Sequence, residues 1–242
     1  MKNLKLAAVC LSCLTMTGCS ALNFSVEGLI NAPKLTSEQS EIHQALIESV
    51  GSNITLKYPK NGEYRSAYVI ANIDDEPTDE AMVFYEYTSN GSEEDGLRVN
   101  ILDKDENGKW YSVKELAGAG TDIDQVIISP MGSNNQTDVF VGYQNLTNDE
   151  KTMEIYSYTD GDFKRVALDT YSVLEPLDIN NDGYIELITI QRSTNNDTGA
   201  VTAKASMLNM KNNEITRGEN VDMCDNVTSY VSSKTGMLDS GR

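Results

Sequence analysis

Hairpin-turn signals recur along this chain at nearly constant spacing, and this repetition restricts the possible folds more than any other feature. Asn107-Gly108, Asp160-Gly161 and Asn212-Asn213 lie 53 and 52 residues apart. Such dipeptides favour the tight turn that joins two antiparallel strands. Segments with the alternation of β-strands precede the three turns (97–102, 153–158 and 203–210), and further strand-like segments follow them (109–116, 162–168 and 214–221).

A strand-loop-strand unit lies upstream of each hairpin, at 66–87, 124–145 and 172–192. Each repeat therefore contains four strands in about fifty residues, which is the unit of a β-propeller blade. The sequence predicts an all-β fold, a partial β-propeller of about three four-stranded antiparallel blades over residues 52–223. A plain β-sandwich remains the alternative, because it would show similar strand spacing without requiring repetition.

One short helix is predicted ahead of the strands, over residues 36–51. Thr36 and Gln39 have the spacing of a capping box, and Gly51 is a typical residue after the last helical turn. The apolar residues recur at helical spacing and predict the buried face, which contains Ile42, Ala45, Leu46 and Val50.

The first eighteen residues predict a signal peptide. Lys2 and Lys5 precede an apolar segment, 6–16, that is too short to span a bilayer. It ends in Met-Thr-Gly-Cys at 16–19, which resembles the lipobox of bacterial lipoproteins, although methionine stands where leucine is usual. An ordinary signal peptide cleaved near Gly18 remains the alternative.

The lipobox resemblance implies that Cys19 is lipidated and anchors the exported chain to the extracytoplasmic face of a membrane. Residues 19–35 would then form a tether. Cys10 and Cys13 would leave with the signal peptide, so Cys224 would be alone and no disulfide framework is expected. The sequence assigns no role to Cys224.

The net charge of the chain restricts the kinds of partner that it is expected to bind. The chain has 37 acidic and 19 basic residues and a formal net charge of -18. Such a surface repels nucleic acid and favours divalent cations, so no nucleic-acid partner is expected.

The loop of the third strand-loop-strand unit predicts a calcium site. Oxygen-bearing side chains alternate along it, and hard oxygen ligands suit Ca²⁺. Gly183 permits the positive φ that a tight wrap around an ion needs. The candidate ligands are the side chains of Asp178, Asn180, Asp182 and Glu186 and the carbonyl oxygen of Tyr184.

The pattern differs from an EF-hand, because Thr189 occupies the twelfth position, where that family needs a carboxylate. The shorter Asp-x-Asn-x-Asp-Gly-x-x-Glu loop resembles the calcium loop of FG-GAP and VCBS-type propeller repeats. With the lipobox and the short helix, the chain resembles surface lipoproteins of Gram-positive anaerobes. The resemblance implies a calcium-stabilised propeller.

The first and middle loops align with the third but depart from its pattern. Pro77 stands where the third loop has glycine, so weaker calcium binding is expected at the first loop, through Asn72, Asp74, Glu76 and Glu80. The middle loop has one carboxylate and is expected to bind no metal; its aligned residues are Pro130, Gly132, Asn134 and Asp138.

No catalytic set is evident in the sequence. The only histidine, His43, falls in the predicted helix, and no Ser-His or Cys-His pair can be proposed. We therefore predict a non-catalytic module that binds a surface macromolecule or a glycan. The alternative is a fragment of an extracytoplasmic polysaccharide hydrolase or lyase. Trp110 and the twelve tyrosines are predicted to lie in the inter-blade core and girdle rather than on a sugar-binding platform.

Three blades do not close a ring, since propellers need at least four. Residues 224–242 are therefore predicted to begin a further, truncated repeat, and the chain is expected to be a fragment of a longer protein. A complete, open stack of three sheets remains the alternative. The segment 54–58 is predicted to complete the last blade, as N-terminal strands do in propellers of this kind.

Overall fold

The computed structural model describes residues 35–88, 96–131, 136–145, 150–178, 183–211, 214–218 and 221–222. Contacts divide the chain into two units, Met1–Ser37 and Glu38–Arg242. Only residues 35–37 of the first unit are described, so the predicted signal peptide, Cys19 and almost all of the tether lie outside the described residues. The following paragraphs concern the second unit.

One helix and fourteen strands make up the described part of the chain. The helix α1 spans Ser37–Val50. The strands are β1 Ile54–Leu56, β2 Tyr68–Ala71, β3 Glu80–Tyr87, β4 Leu97–Lys104, β5 Trp110–Ala117, β6 Asp122–Ser129, β7 Asp138–Gln144, β8 Lys151–Thr159, β9 Asp162–Tyr171, β10 Val173–Leu177, β11 Glu186–Thr194, β12 Val201–Lys211, β13 Glu214–Arg217 and β14 Val221–Asp222.

The strands form three antiparallel sheets, each built from consecutive segments of the chain. The first sheet has the order β1-β3-β4-β5 with β2 also paired to β3, the second β6-β7-β8-β9, and the third β10-β11-β12-β13 with β14 also paired to β12. The all-β prediction is confirmed, as are three sheets with four strand positions each. A two-sheet sandwich is not what these residues form.

The predicted hairpin turns lie where the strands reverse. Asp160 and Gly161 adopt φ angles of 55° and 76° between β8 and β9, as the tightest hairpin turns require. Asn107-Gly108 lies between β4 and β5. Asn212-Asn213 falls between β12 and β13 but lies outside the described residues.

The pairing of β1 corrects one prediction. The sequence predicts that residues 54–58 complete the last blade, but Ile54–Leu56 pairs with Tyr85–Tyr87 of β3 in the first sheet. The reason is that β2 pairs only as far as Val83 of β3. The rest of that edge of β3 would lack partners, and β1 supplies them.

The middle sheet carries apolar side chains on both faces. In β7, Val139, Val141 and Tyr143 pack in a cluster with the first sheet. Phe140, between them in sequence, packs in a cluster with Leu187 of the third sheet. Alternate residues of a strand point to opposite faces. Because both faces of β7 are buried, its sequence is a nearly continuous apolar run.

The helix covers the other face of the first sheet. Ile42, Ala45 and Leu46 are buried, as predicted, and share a cluster with Tyr68 and Trp110. Trp110 is only 2% exposed, so its prediction as a core residue is confirmed. Among the described residues, no helix is long and apolar enough to cross a membrane.

Candidate functional site

The three aligned loops occupy the same place in the three sheets, between the first and second strand positions. The residue aligned at the end of each loop opens the second strand: Glu80 opens β3, Asp138 opens β7 and Glu186 opens β11. The predicted alignment of the three loops, with the last aligned residue at the start of a strand, is therefore confirmed in all three repeats.

Two of these carboxylates make the same backbone contact. Glu80 Oε2 accepts a hydrogen bond from the N–H of Ile73 at 2.8 Å. Asp138 Oδ2 accepts one from the N–H of Met131 at 3.1 Å. In each case the donor lies seven residues upstream, so the carboxylate ties the end of its loop back to the beginning.

The first loop is closed by its own polar groups. The Asn72 side-chain amide donates to the carbonyls of Glu76, at 2.5 Å, and Thr78, at 2.9 Å. Asp74 Oδ1 accepts from the N–H of Glu76 at 2.7 Å. Three of the four predicted ligands thus lie together around one turn, and hydrogen bonds to the backbone hold that turn.

Glu80 is the buried member of this group. The residue is 1% exposed, and its Oε1 has no hydrogen-bond partner. The pKa of Glu80 is raised to about 7, mainly by burial and to a smaller extent by the nearby carboxylates of Asp74 and Asp103, against the lowering effect of the Ile73 N–H. Burial also raises the pKa of Asp74, and Asp103 and Asp75 act in the same direction.

The single carboxylate of the middle loop, Asp138, forms hydrogen bonds within the protein. Asp138 is fully buried; besides the Met131 N–H, it accepts a hydrogen bond from the Ser157 hydroxyl. Burial raises the pKa of Asp138. Gly132 and Asn134 lie outside the described residues.

The third loop is described at its two ends. The N–H of Gly183 donates to Asp178 Oδ2 at 3.0 Å, and Gly183 has a φ of 89°, which confirms the predicted positive φ. Ile185 N–H donates to the carbonyl of Pro130 in the middle loop at 3.1 Å. Asn180 and Asp182, two of the five predicted ligands, lie outside the described residues.

Metal binding at these loops stays a prediction. Within the described ranges, no group of three or more His, Cys, Asp or Glu side chains is placed to hold an ion. The central residues of the third loop, 179–182, lie outside those ranges.

A second polar group was missed by the sequence reasoning. Asp124 on β6 is 2% exposed and accepts hydrogen bonds from Asn61, Lys151 and Tyr171. Its partners come from distant parts of the chain, so the repeat pattern gave no sign of them. The one local signal was an acidic residue within a segment otherwise predicted to be a buried strand.

Comparison with known proteins assigns no family: the chain matches no protein-family model and no curated protein sequence.

Proposed function

We propose that this chain is a lipid-anchored, extracytoplasmic binding module in which the three sheets are blades of a β-propeller. The repeated architecture carries this proposal. Each sheet follows the chain in order, each has the same aligned loop between its first two strand positions, and the middle sheet packs on both faces. Stacked meander sheets of this kind are the construction of a propeller.

The binding function is inferred from the propeller-like architecture and from the lack of a Ser-His or Cys-His pair in the sequence. Because a fold does not by itself assign a function, the residue inventory is needed as well. The single histidine, His43, accepts a hydrogen bond from or donates one to the Tyr68 hydroxyl at 2.8 Å and packs against that ring. That contact supports docking of the helix rather than activation of a nucleophile.

The anchor rests on the lipobox-like residues 16–19 and the signal-like residues before them. Lipid on Cys19 would hold the propeller at the membrane surface, with residues 19–35 as the tether. The partner is a surface macromolecule or a glycan, and the acidic chain disfavours nucleic acid.

The test of this function uses Cys19→Ser. The variant should not incorporate labelled fatty acid and should leave the membrane fraction. Labelling and fractionation identical to those of the wild type would contradict the proposed lipid anchor. The purified Cys19→Ser protein, immobilised as bait, should retain a specific component of cell-wall or cell-surface material without altering it. The alternative function, a polysaccharide hydrolase or lyase, would be supported if the protein degraded a polysaccharide. That activity would be measured as new reducing ends, and substitution of carboxylates should abolish it.

We also propose calcium at the third loop, through Asp178, Asn180, Asp182, Tyr184 and Glu186. The hydrogen bond from Gly183 to Asp178 and the positive φ of Gly183 support it, because both bend the chain around the space where alternate ligands would converge. The first loop is the weaker candidate, since hydrogen bonds to the backbone already engage Asn72 and Asp74.

Calcium should raise the melting temperature of the wild-type chain, because an ion that binds only the folded state stabilises it. The gain is about 2.7 kcal/mol when free calcium is roughly a hundred times the dissociation constant. Asp182→Ala should abolish the response. Differential scanning calorimetry with added calcium or EDTA measures both.

The matched control for calcium is Asp197→Ala, in the exposed turn between β11 and β12, where no aligned ligand set exists. This variant should keep the full wild-type response. An identical calorimetric trace of the wild type with calcium and with EDTA would rule out the site.

A further inference from the structure

A charged cleft lies where the middle sheet meets the third sheet and the connection between β1 and β2. It encloses about 360 Å³, near the small end of the range of small-molecule sites, roughly 300–1,000 Å³. Asp124 and Lys151 come from the middle sheet, Arg65 from the connection and Glu175 from β10.

The connection between β1 and β2 is fastened along the edge of β6 and forms one wall. The N–H of Lys60 donates to the carbonyl of Ile123 at 3.1 Å, and the N–H of Asn61 to that of Asp124 at 2.7 Å. The Arg65 guanidinium then holds the turn by contacting the carbonyls of Lys60 and Gly62.

Asp124 forms the floor, and several local features place it there. The register between β6 and β7 shifts at Asp124, as in a β-bulge, a device that redirects a side chain. Tyr171 donates its hydroxyl to Asp124 Oδ2 at 2.7 Å. That hydroxyl occupies the space above Gly142, where an added Cβ would overlap it.

Lys151 completes the floor with a buried ion pair. Its Nζ lies 2.8 Å from Asp124 Oδ1 and 5.7 Å from the centre of the Tyr171 ring, and the side chain is 16% exposed. Buried ion pairs contribute little to stability compared with apolar residues of the same size. The bulge and the largely buried ion pair at the cleft floor, with Tyr171 and Gly142 behind them, therefore favour a role in binding.

The lining matches a neutral, hydroxyl-rich ligand. The charges of the four residues Arg65, Lys151, Asp124 and Glu175 sum to zero; Arg65 and Lys151 are donors and Glu175 is an acceptor. A hydroxyl group both donates and accepts, so it can bond with either kind. Leu174 and Pro176 supply apolar atoms beside them. The net charge of -18 acts against acidic ligands.

We propose that this cleft binds one neutral sugar residue, either free or at the end of a glycan. This inference rests on the proposed binding function and names the ligand class that the cleft accepts. Lys151 and Arg65 would donate to sugar oxygens, and Glu175 would accept from sugar hydroxyls. Asp124, which is buried and already accepts three hydrogen bonds, would hold Lys151 in position.

The test is isothermal titration of the purified chain with glucose, galactose, N-acetylglucosamine and glucuronate. At least one neutral sugar should bind, and glucuronate should bind no more tightly than glucose. The double variant Asp124→Asn/Lys151→Met removes the ion pair without leaving a buried charge unpaired, and it should weaken binding at least about tenfold. Arg65→Gln, which leaves the core intact, should also weaken it.

The matched control is Asp162→Asn/Lys114→Met, which removes an ion pair of 2.6 Å between β9 and β5; neither residue lines the cleft. It should bind sugar as the wild type does. Binding of none of the four sugars, tighter binding of glucuronate than of glucose, or unchanged binding by both cleft variants would overturn the inference. The proposed binding function fails separately, if the Cys19→Ser bait retains no partner.

Discussion

Lys151→Met should lower the free energy of unfolding by about 3 kcal/mol, because it leaves the Asp124 carboxylate buried without its cation. Asp124 would keep the hydrogen bonds from Asn61, at 2.7 Å, and Tyr171, at 2.7 Å. These neutral donors do not replace the charge of Lys151. Denaturant unfolding followed by far-ultraviolet circular dichroism measures the change.

The double variant Asp124→Asn/Lys151→Met should recover most of this loss, since an asparagine at 124 carries no charge to bury. Lys114→Met is the surface control. It breaks the pair with Asp162, whose side chain is 51% exposed, and should leave the free energy of unfolding nearly unchanged, because solvent screens exposed pairs. Equal losses in the single and double variants would mean that packing, not charge, dominates at Lys151.

The stability of the protein should fall by about 3 kcal/mol as the pH rises from about 4.5 to about 7, through Glu80 alone. The folded-state pKa of Glu80 is about 7, above its ordinary value of 4.5. The folded state therefore holds the proton more tightly than the unfolded state. This contribution is fully present below the ordinary pKa and is lost as the pH passes through the raised one.

Glu80→Gln should remove this part of the pH dependence, because glutamine has a similar shape and does not ionise. Its side-chain carbonyl can still accept the Ile73 N–H that Glu80 Oε2 accepts now. Unfolding curves across that pH range, recorded in EDTA so that calcium does not contribute, measure the difference. Glu106→Gln, in the exposed turn between β4 and β5, is the control. If wild type and Glu80→Gln show parallel pH profiles, Glu80 does not titrate in this range.

Local sequence signals were sufficient for the element order. Turn dipeptides such as Asp160-Gly161 act over a few residues, and strand alternation is visible without tertiary contacts. The helix boundaries followed for the same reason, since Thr36 and Gly51 mark its two ends. Repetition then predicted the common position of Glu80, Asp138 and Glu186 at the start of a strand.

The pairing of β1 and the role of Glu80 depended on the tertiary structure. Whether Ile54–Leu56 joins the first or the last blade is decided by which edge lacks partners, and only the length of β2 reveals that. Glu80 resembled a calcium ligand in sequence. Its burial and its bond to Ile73 give it a structural role in the loop, which no residue spacing indicates.

The sequence by itself determined the all-β class, the helix, the three repeats and the alignment of their loops, because these depend on short-range propensity and periodicity. Only the tertiary structure determined the cleft around Asp124. Asn61, Lys151 and Tyr171 lie 63, 27 and 47 residues away from Asp124 in the chain. Contacts over such separations form only when the sheets pack together, so no local sequence pattern predicts them.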